Sequence, residues 1–205
     1  MKAIVFTVKT KPIETDTTLE ELYQEQYNNI EETYYRPNQK IEEMQTWHPS
    51  FSRTLGIGVV SLNNNDSPQS VVLSNNSEVD LLKEFSEGCR SFNGPFVSYD
   101  GLWFDVPFLL ARYSILGIDP PNSSFCNQIK FRSFPHYDIN SIYGSWGRFP
   151  TSLSLLSHTF GIKYDEPASY PIWLKEVTVE DVEKLLLRRV QVISEIYLKM
   201  RKVFI

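Results

Sequence analysis

The chain has 205 residues, of which 41% are hydrophobic and 14% aromatic, which suits one packed domain and argues against a disordered chain. A formal net charge of −5 offers no global attraction for a polyanion, so nucleic acid would have to be held by a local basic surface. The two cysteines, Cys89 and Cys126, form neither a CxxC pair nor a zinc array and read as structural thiols in a reduced compartment. No stretch approaches the ~20 apolar residues that span a bilayer. The opening MKAIVFTVKTKPI turns polar too soon for a signal peptide, so the expected location is cytoplasmic, with no membrane partner.

Lys2 to Val8 is a β-branched apolar run and predicts a first strand. A polar excursion follows over about 15–50, in which Leu19, Leu22, Tyr23, Tyr27 and Ile30 recur at helical spacing. Thr54 to Leu62 predicts a second strand, the NNNDSP cluster a turn, and Gln69 to Ser74 a third strand. Ser77 is placed to cap a helix from about Glu78 to Arg90, with Val79, Leu82 and Phe85 inward. Phe96 to Tyr99 predicts a short fourth strand. Phe104 to Leu116 predicts a helix ended by Gly117 and Pro120-Pro121. Pro135 to Ile142 is short and mixed. Thr151 to Phe160 predicts a helix closed by Gly161, and Thr178-x-x-Asp181 caps a last helix to about Lys202. This order predicts a single-domain α/β fold over 1–205, a mixed β-sheet flanked by helices.

Several strings in that order carry a resemblance. Phe96-Val-Ser-Tyr-Asp-Gly-Leu-Trp-Phe-Asp-Val-Pro-Phe-Leu-Leu-Ala-Arg112 is similar to a hydrophobic strand followed by Asn-Gly-x-x-Phe-Asp-x-Pro-x-Leu, with Asp100 where Asn is usual. His48-Pro-Ser-Phe-Ser-Arg-Thr-Leu-Gly-Ile57, Ser77-Glu-Val-Asp-Leu-Leu-Lys-Glu-Phe85, His136-Tyr-Asp-Ile139 and Ser152-Leu-Ser-Leu-Leu…Phe160-Gly-Ile162 agree as well. Together they resemble the predicted 3′–5′ exonucleases related to the proofreading domain of family B DNA polymerases. These belong to the DEDD class of the ribonuclease H-like fold. The resemblance implies that fold, nucleic acid as partner, and a setting in DNA replication or repair.

The class hydrolyses a terminal phosphodiester with two divalent ions held by four carboxylates, hard oxygen donors that Mg²⁺ requires. The resemblance places Asp105 at the catalytic Asp of the second motif. The first motif, Asp-x-Glu at the end of strand one, falls on Phe6-Thr-Val-Lys-Thr10, so Thr7 and Lys9 take its two positions. The third motif, Tyr-x-x-x-Asp on the last helix, falls on Leu187 and Gln191. Glu183 and Glu195 miss its spacing. Glu14 and Asp16 follow the first strand and are its nearest alternative acids. Four carboxylates supply a local charge of about −4 for two dications. Asp105 with Lys9 sums near zero, and an ammonium repels a dication, so a Lys9–Asp105 ion pair is expected instead of a metal.

The expected function is therefore an exonuclease-like domain, a catalytically silent pseudoenzyme that holds single strands or 3′ ends without a cofactor. Lys9, Arg188 and Arg189 are candidate phosphate contacts, and Trp146, in the glycine-bracketed loop Tyr143-Gly-Ser-Trp-Gly-Arg148, is a candidate stacking residue. His136 and Asp138 read as a structural hydrogen-bonding pair rather than an acid–base couple. One alternative is a working exonuclease with rearranged ligands and Mg²⁺ or Mn²⁺. Another is a protein-interaction scaffold that uses the 15–50 excursion.

Overall fold

A computed structural model describes residues 2–13, 17–31, 47–63, 67–149, 151–166 and 178–203. The described residues form a five-stranded sheet in the order β3-β2-β1-β4-β5. Its strands are β1 (Ala3–Pro12), β2 (Ser52–Leu62), β3 (Gln69–Ser74), β4 (Phe96–Ser98) and β5 (His136–Asp138). β2 is antiparallel to both β1 and β3, while β4 and β5 run parallel to β1. This is the ribonuclease H-like mixed sheet.

The helices are α1 (Thr17–Glu31), α2 (Glu78–Cys89), α3 (Asp105–Leu116), α4 (Ser123–Cys126), α5 (Ile139–Tyr143), α6 (Leu153–Thr159) and α7 (Val179–Met200). The mixed stretch around Pro135 to Ile142 resolves into β5 and α5. Of the polar excursion, α1 is present and its Leu22 is exposed. The side chains of Tyr23, Tyr27 and Ile30 lie outside the described residues, as do Glu14 and Asp16.

Central β1 is buried on both faces, which is why it reads as a continuous apolar run. Alternation of side chains sends its residues into two cores. Ala3 and Val5 pack with Ile193, Ile196 and Tyr197 of α7. Ile4, Phe6 and Val8 pack with Leu81, Leu82 and Phe85 of α2 and Val106 and Leu109 of α3. Thr7, in phase with Ala3 and Val5, therefore faces α7.

Two local devices lock these layers. A Cβ on Gly58 of β2 would stand 2.8 Å from the Leu186 carbonyl oxygen of α7, so the glycine sets how closely the helix approaches the sheet. On the other face, Glu78 accepts Nη2 of Arg112 at 2.6 Å, Nε of Arg112 at 3.0 Å and the backbone N–H of Thr54 at 2.6 Å. Arg112 also donates to the Pro49 carbonyl at 2.7 Å. Three of the strings that carry the resemblance, around Pro49, Glu78 and Arg112, thus meet at one buried ion pair.

Removing one partner of such a pair strands the other charge, at a cost of about 3–5 kcal/mol. Glu78→Ala should therefore lower the thermal midpoint sharply, and Gly58→Ala should cost about 1–3 kcal/mol by overpacking. Chemical denaturation of each variant measures both, with exposed Glu84→Ala as the silent control.

Candidate functional site

The chain between β4 and α3 makes a tight turn in which Asp100 adopts a left-handed backbone, φ 60°. Asp and Asn tolerate that region better than other side chains, so Asp100 can stand where Asn is usual. Buried Asp138 holds the turn, accepting the backbone N–H groups of Leu102 at 2.9 Å, Ser141 at 3.1 Å and Asp100 at 3.3 Å. Asn140 Nδ2 donates to Asp100 Oδ1 at 2.7 Å. His136 contacts the Phe125 carbonyl through Nε2 at 2.8 Å and stacks on Phe96. Both residues of the His136–Asp138 string are thus structural, and they deliver Asp105 at the first position of α3.

Asp105 opens onto a cleft of about 510 Å³ lined by Lys9, Trp47, Trp103, Phe104, Glu166 and Arg189, among others. Arg189 crosses it, donating from Nε to Thr7 Oγ1 at 3.0 Å and pairing through Nη1 with Glu166. Trp47 packs edge-on against Phe104, their ring centroids 5.2 Å apart.

The helix register follows from this geometry. In α7, Val182, Leu186, Ile193, Ile196 and Met200 are buried, and Arg189 falls in the same 3–4 stripe. Leu187 and Gln191 each lie two residues from Arg189, about 200° around the helix. The α7 residue that meets Thr7 and Asp105 is therefore Arg189, which corrects the register expected from the sequence. Thr7, Lys9 and Asp105 do converge. Arg188, on the exposed side, donates to the Lys163 carbonyl at 2.8 Å and pairs with Glu195. Trp146 is not part of the cleft lining and packs on Phe131 at 4.9 Å.

The expected Lys9–Asp105 ion pair does not form. The ion pairs among the described residues are Arg112–Glu78, His158–Asp165, Arg188–Glu195 and Arg189–Glu166. An ion pair would lower the carboxyl pKa and raise that of the amine, but both shift the opposite way. Burial raises Asp105 from 3.8 to about 7, against the pull of Arg189 and Lys9 and with the push of Asp138 and Asp100. Burial lowers Lys9 from 10.5 to about 8, helped by Arg189 and opposed by Glu166 and Asp105. For Arg189, burial favours the neutral form, but Glu166, Tyr164 and Asp105 outweigh it and the net shift is upward. A guanidinium thus took the place near Asp105 that the ammonium was expected to take.

This donor set does not fit a pair of hard dications. Thr7, Lys9 and Arg189 bring a hydroxyl and two cations, and Asp105 is a carboxyl that burial holds half-protonated near neutrality. Among the described residues no group of three His, Cys, Asp or Glu side chains is arranged to hold a metal ion. Glu166, Trp47 and the facing role of Arg189 were missed in the sequence. A charged residue inside an apolar 3–4 stripe was the available signal for Arg189, whereas no spacing rule points to Glu166 or Trp47.

No protein-family model and no curated protein matches the sequence. Among solved structures, the family B DNA polymerase of the hyperthermophilic archaeon Pyrobaculum calidifontis superposes with a TM-score of 0.62 at 14% identity, over 98% of this chain and 24% of that one. E. coli exonuclease I in complex with a dT13 oligonucleotide gives a TM-score of 0.47 at 8% identity, over 99% of this chain and 42% of that one. Exonuclease I from Methylocaldum szegediense gives 0.47 at 10%, over 99% and 41%. The chain thus spans about a quarter of the polymerase and under half of the exonuclease I chains. At these identities the likeness is one of fold. No helix among the described residues is long and apolar enough to cross a membrane.

The shift of Asp105 has a sign that can be measured. A carboxyl whose folded pKa is raised favours the folded state while protonated. That contribution is complete below about pH 4 and is lost as pH rises through about 7. Asp105→Asn should flatten the fall in stability across that window and be more stable than the parent at pH 8, by on the order of 2–3 kcal/mol. Urea denaturation from pH 4 to 8 reads this directly, and a parent that gains stability between pH 4 and 7 while the variant stays flat would refute it.

Proposed function

We propose that this chain is an exonuclease-like domain that does not cleave, and that its cleft holds single strands or 3′ ends of nucleic acid. The observation that carries the reading is the half-buried guanidinium of Arg189, bound to Thr7 and Glu166 and beside Asp105. Phosphodiester hydrolysis by two metals needs concentrated negative charge. Here Lys9 and Arg189 stand among the cleft carboxyls, Arg189 is paired with Glu166, and an added dication would meet the repulsion of both cations. The same residues suit holding. Lys9 and Arg189 present positive charge to phosphate, and Trp47, Trp103 and Phe104 offer apolar faces on which bases of any sequence stack. The fold shared with a DNA polymerase supports the choice of ligand.

One observation favours the alternative of a working exonuclease with rearranged ligands. Asp105 Oδ2 and Glu166 Oε2 are buried without a hydrogen-bond partner, and both residues line the cleft. Two such oxygens could take one Mg²⁺ or Mn²⁺ if Arg189 moved aside. Titration calorimetry separates the two readings.

On the first reading, neither ion binds at micromolar affinity, and labelled single-stranded DNA or RNA is not shortened from its 3′ end. A stoichiometric metal site lost in Asp105→Ala, with metal-dependent trimming lost in the same variant, would establish the second. Binding of a labelled oligonucleotide should fall steeply with salt and weaken about tenfold in Trp103→Ala. Arg188→Glu, altering a residue engaged outside the cleft, should change it little.

The loss should also be reversible. Thr7→Asp, Lys9→Glu and Arg189→Asp, combined with Asp105, place four carboxyls at one site. Without metal this variant should be less stable than the parent, because like charges crowd together. Mn²⁺ should then raise its thermal midpoint by mass action, and leave that of the parent unchanged.

A further inference from the structure

Beside the cleft lies a second exposed surface, built from the stretch before β5 and the turn after α5. Phe131, Phe134 and Phe149 are exposed at 74%, 54% and 57%, and Arg148 lies over the ring of Phe149 at 5.6 Å. Phe131 meets Trp146 with ring centroids 4.9 Å apart. Lys130 Nζ lies 3.8 Å over the ring of Trp103, whose Nε1 donates to Ser141 Oγ at 3.1 Å. Because Trp103 also lines the cleft, the surface and the cleft are continuous through that one indole.

The backbone holds these rings outward in uncommon conformations. Phe131, Ser145 and Trp146 have φ of 65°, 51° and 59°, the left-handed region that bulky residues rarely enter. The Trp146 N–H donates to the Ser141 carbonyl and that of Phe149 to the Gly144 carbonyl, at 2.6 and 2.9 Å. A turn this constrained presents its side chains in fixed positions.

The charge is one-sided. Between Asn127 and Phe149 the sequence carries Lys130, Arg132, Asp138 and Arg148. Asp138 is fully buried and committed to three backbone N–H groups. Within this stretch the exposed charges are therefore three cations, Lys130, Arg132 and Arg148, on a chain whose net charge is −5. Cations interleaved with exposed aromatic rings match an unpaired strand, whose phosphates meet the cations while its bases stack. A duplex buries its base faces and has nothing to offer the rings.

We propose that Lys130, Phe131, Arg132, Trp146 and Arg148 form a platform that holds the nucleotides adjoining the strand end in the cleft. This extends the reading of the cleft as a strand-holding site but depends on residues outside it. Fluorescence anisotropy with dT3 and dT12, and with U3 and U12, tests it. The parent should bind the 12-mers at least about tenfold more tightly than the 3-mers, and a 12-base-pair duplex should not compete. Phe131→Ala/Trp146→Ala should remove that length advantage and leave 3-mer binding unchanged. The exposed triple change Lys130→Glu/Arg132→Glu/Arg148→Glu should remove it even if the aromatic pair proves necessary for folding. Equal affinity for both lengths, or 12-mer binding indifferent to both variants, overturns the platform and leaves the cleft reading standing. Loss of 12-mer binding in the platform variants, with no effect of Lys9→Gln or Trp103→Ala, supports the platform and removes the cleft reading. A parent that binds no oligonucleotide at low salt removes both. Whether dT or U binds better distinguishes DNA from RNA as the source of the strand.

Discussion

Burying a guanidinium costs several kcal/mol unless oxygens surround it, and the cleft is organised around meeting that requirement for Arg189. Thr7 supplies a hydroxyl from β1, and Glu166 supplies a carboxylate from the chain after α6. Asp105 adds partial charge from the start of α3. Three separate parts of the fold are thereby drawn to one side chain of α7. The arrangement does for these elements what bound cations do elsewhere, gathering oxygens from distant parts of the chain around positive charge. Unlike a metal ion, the guanidinium cannot activate a water, since it stays protonated and offers only donors.

The balance of charge in the cleft follows from that substitution. Glu166 pairs with Arg189 and also favours the charged form of Lys9, but burial and Arg189 outweigh it and pull Lys9 the other way. Asp105 sits deeper than either and loses its charge most readily. What remains is a cleft of mixed charge walled by aromatic rings.

The fold was legible because its signals are local. Strand β3 spans Gln69–Ser74, between the turn cluster before it and the Ser77 cap after it, and Gly117 and Gly161, at φ of 65° and 70°, stop the helices they follow. The capping box of Thr178 and Asp181 starts α7 as its spacing predicts. β5 was harder to read because it has only three residues, too few to show a period, and one of them is a buried aspartate. Of the site, Asp105 could be placed because it opens α3, and Thr7 and Lys9 because strand alternation puts them on one face of β1. Arg189 was displaced by two positions because a motif was laid on a helix lacking the motif's own residues, whereas the apolar stripe of the helix would have phased it. Glu166 and Trp47 owe their positions to tertiary packing, and no periodicity records that.

The bond between Arg189 and Thr7 joins residues 182 positions apart. Closing so large a loop is entropically expensive and must await most of the other contacts. The cleft is thus a late product of folding, completed when α7 docks across β1 and β2. On the ribosome, where β1 and β2 emerge before α7, the inner faces of those strands stay bare until α7 has been synthesised. The strands' exposure to misassociation therefore falls before Arg189 exists, and that residue is also among the last to join the sheet to its covering helix.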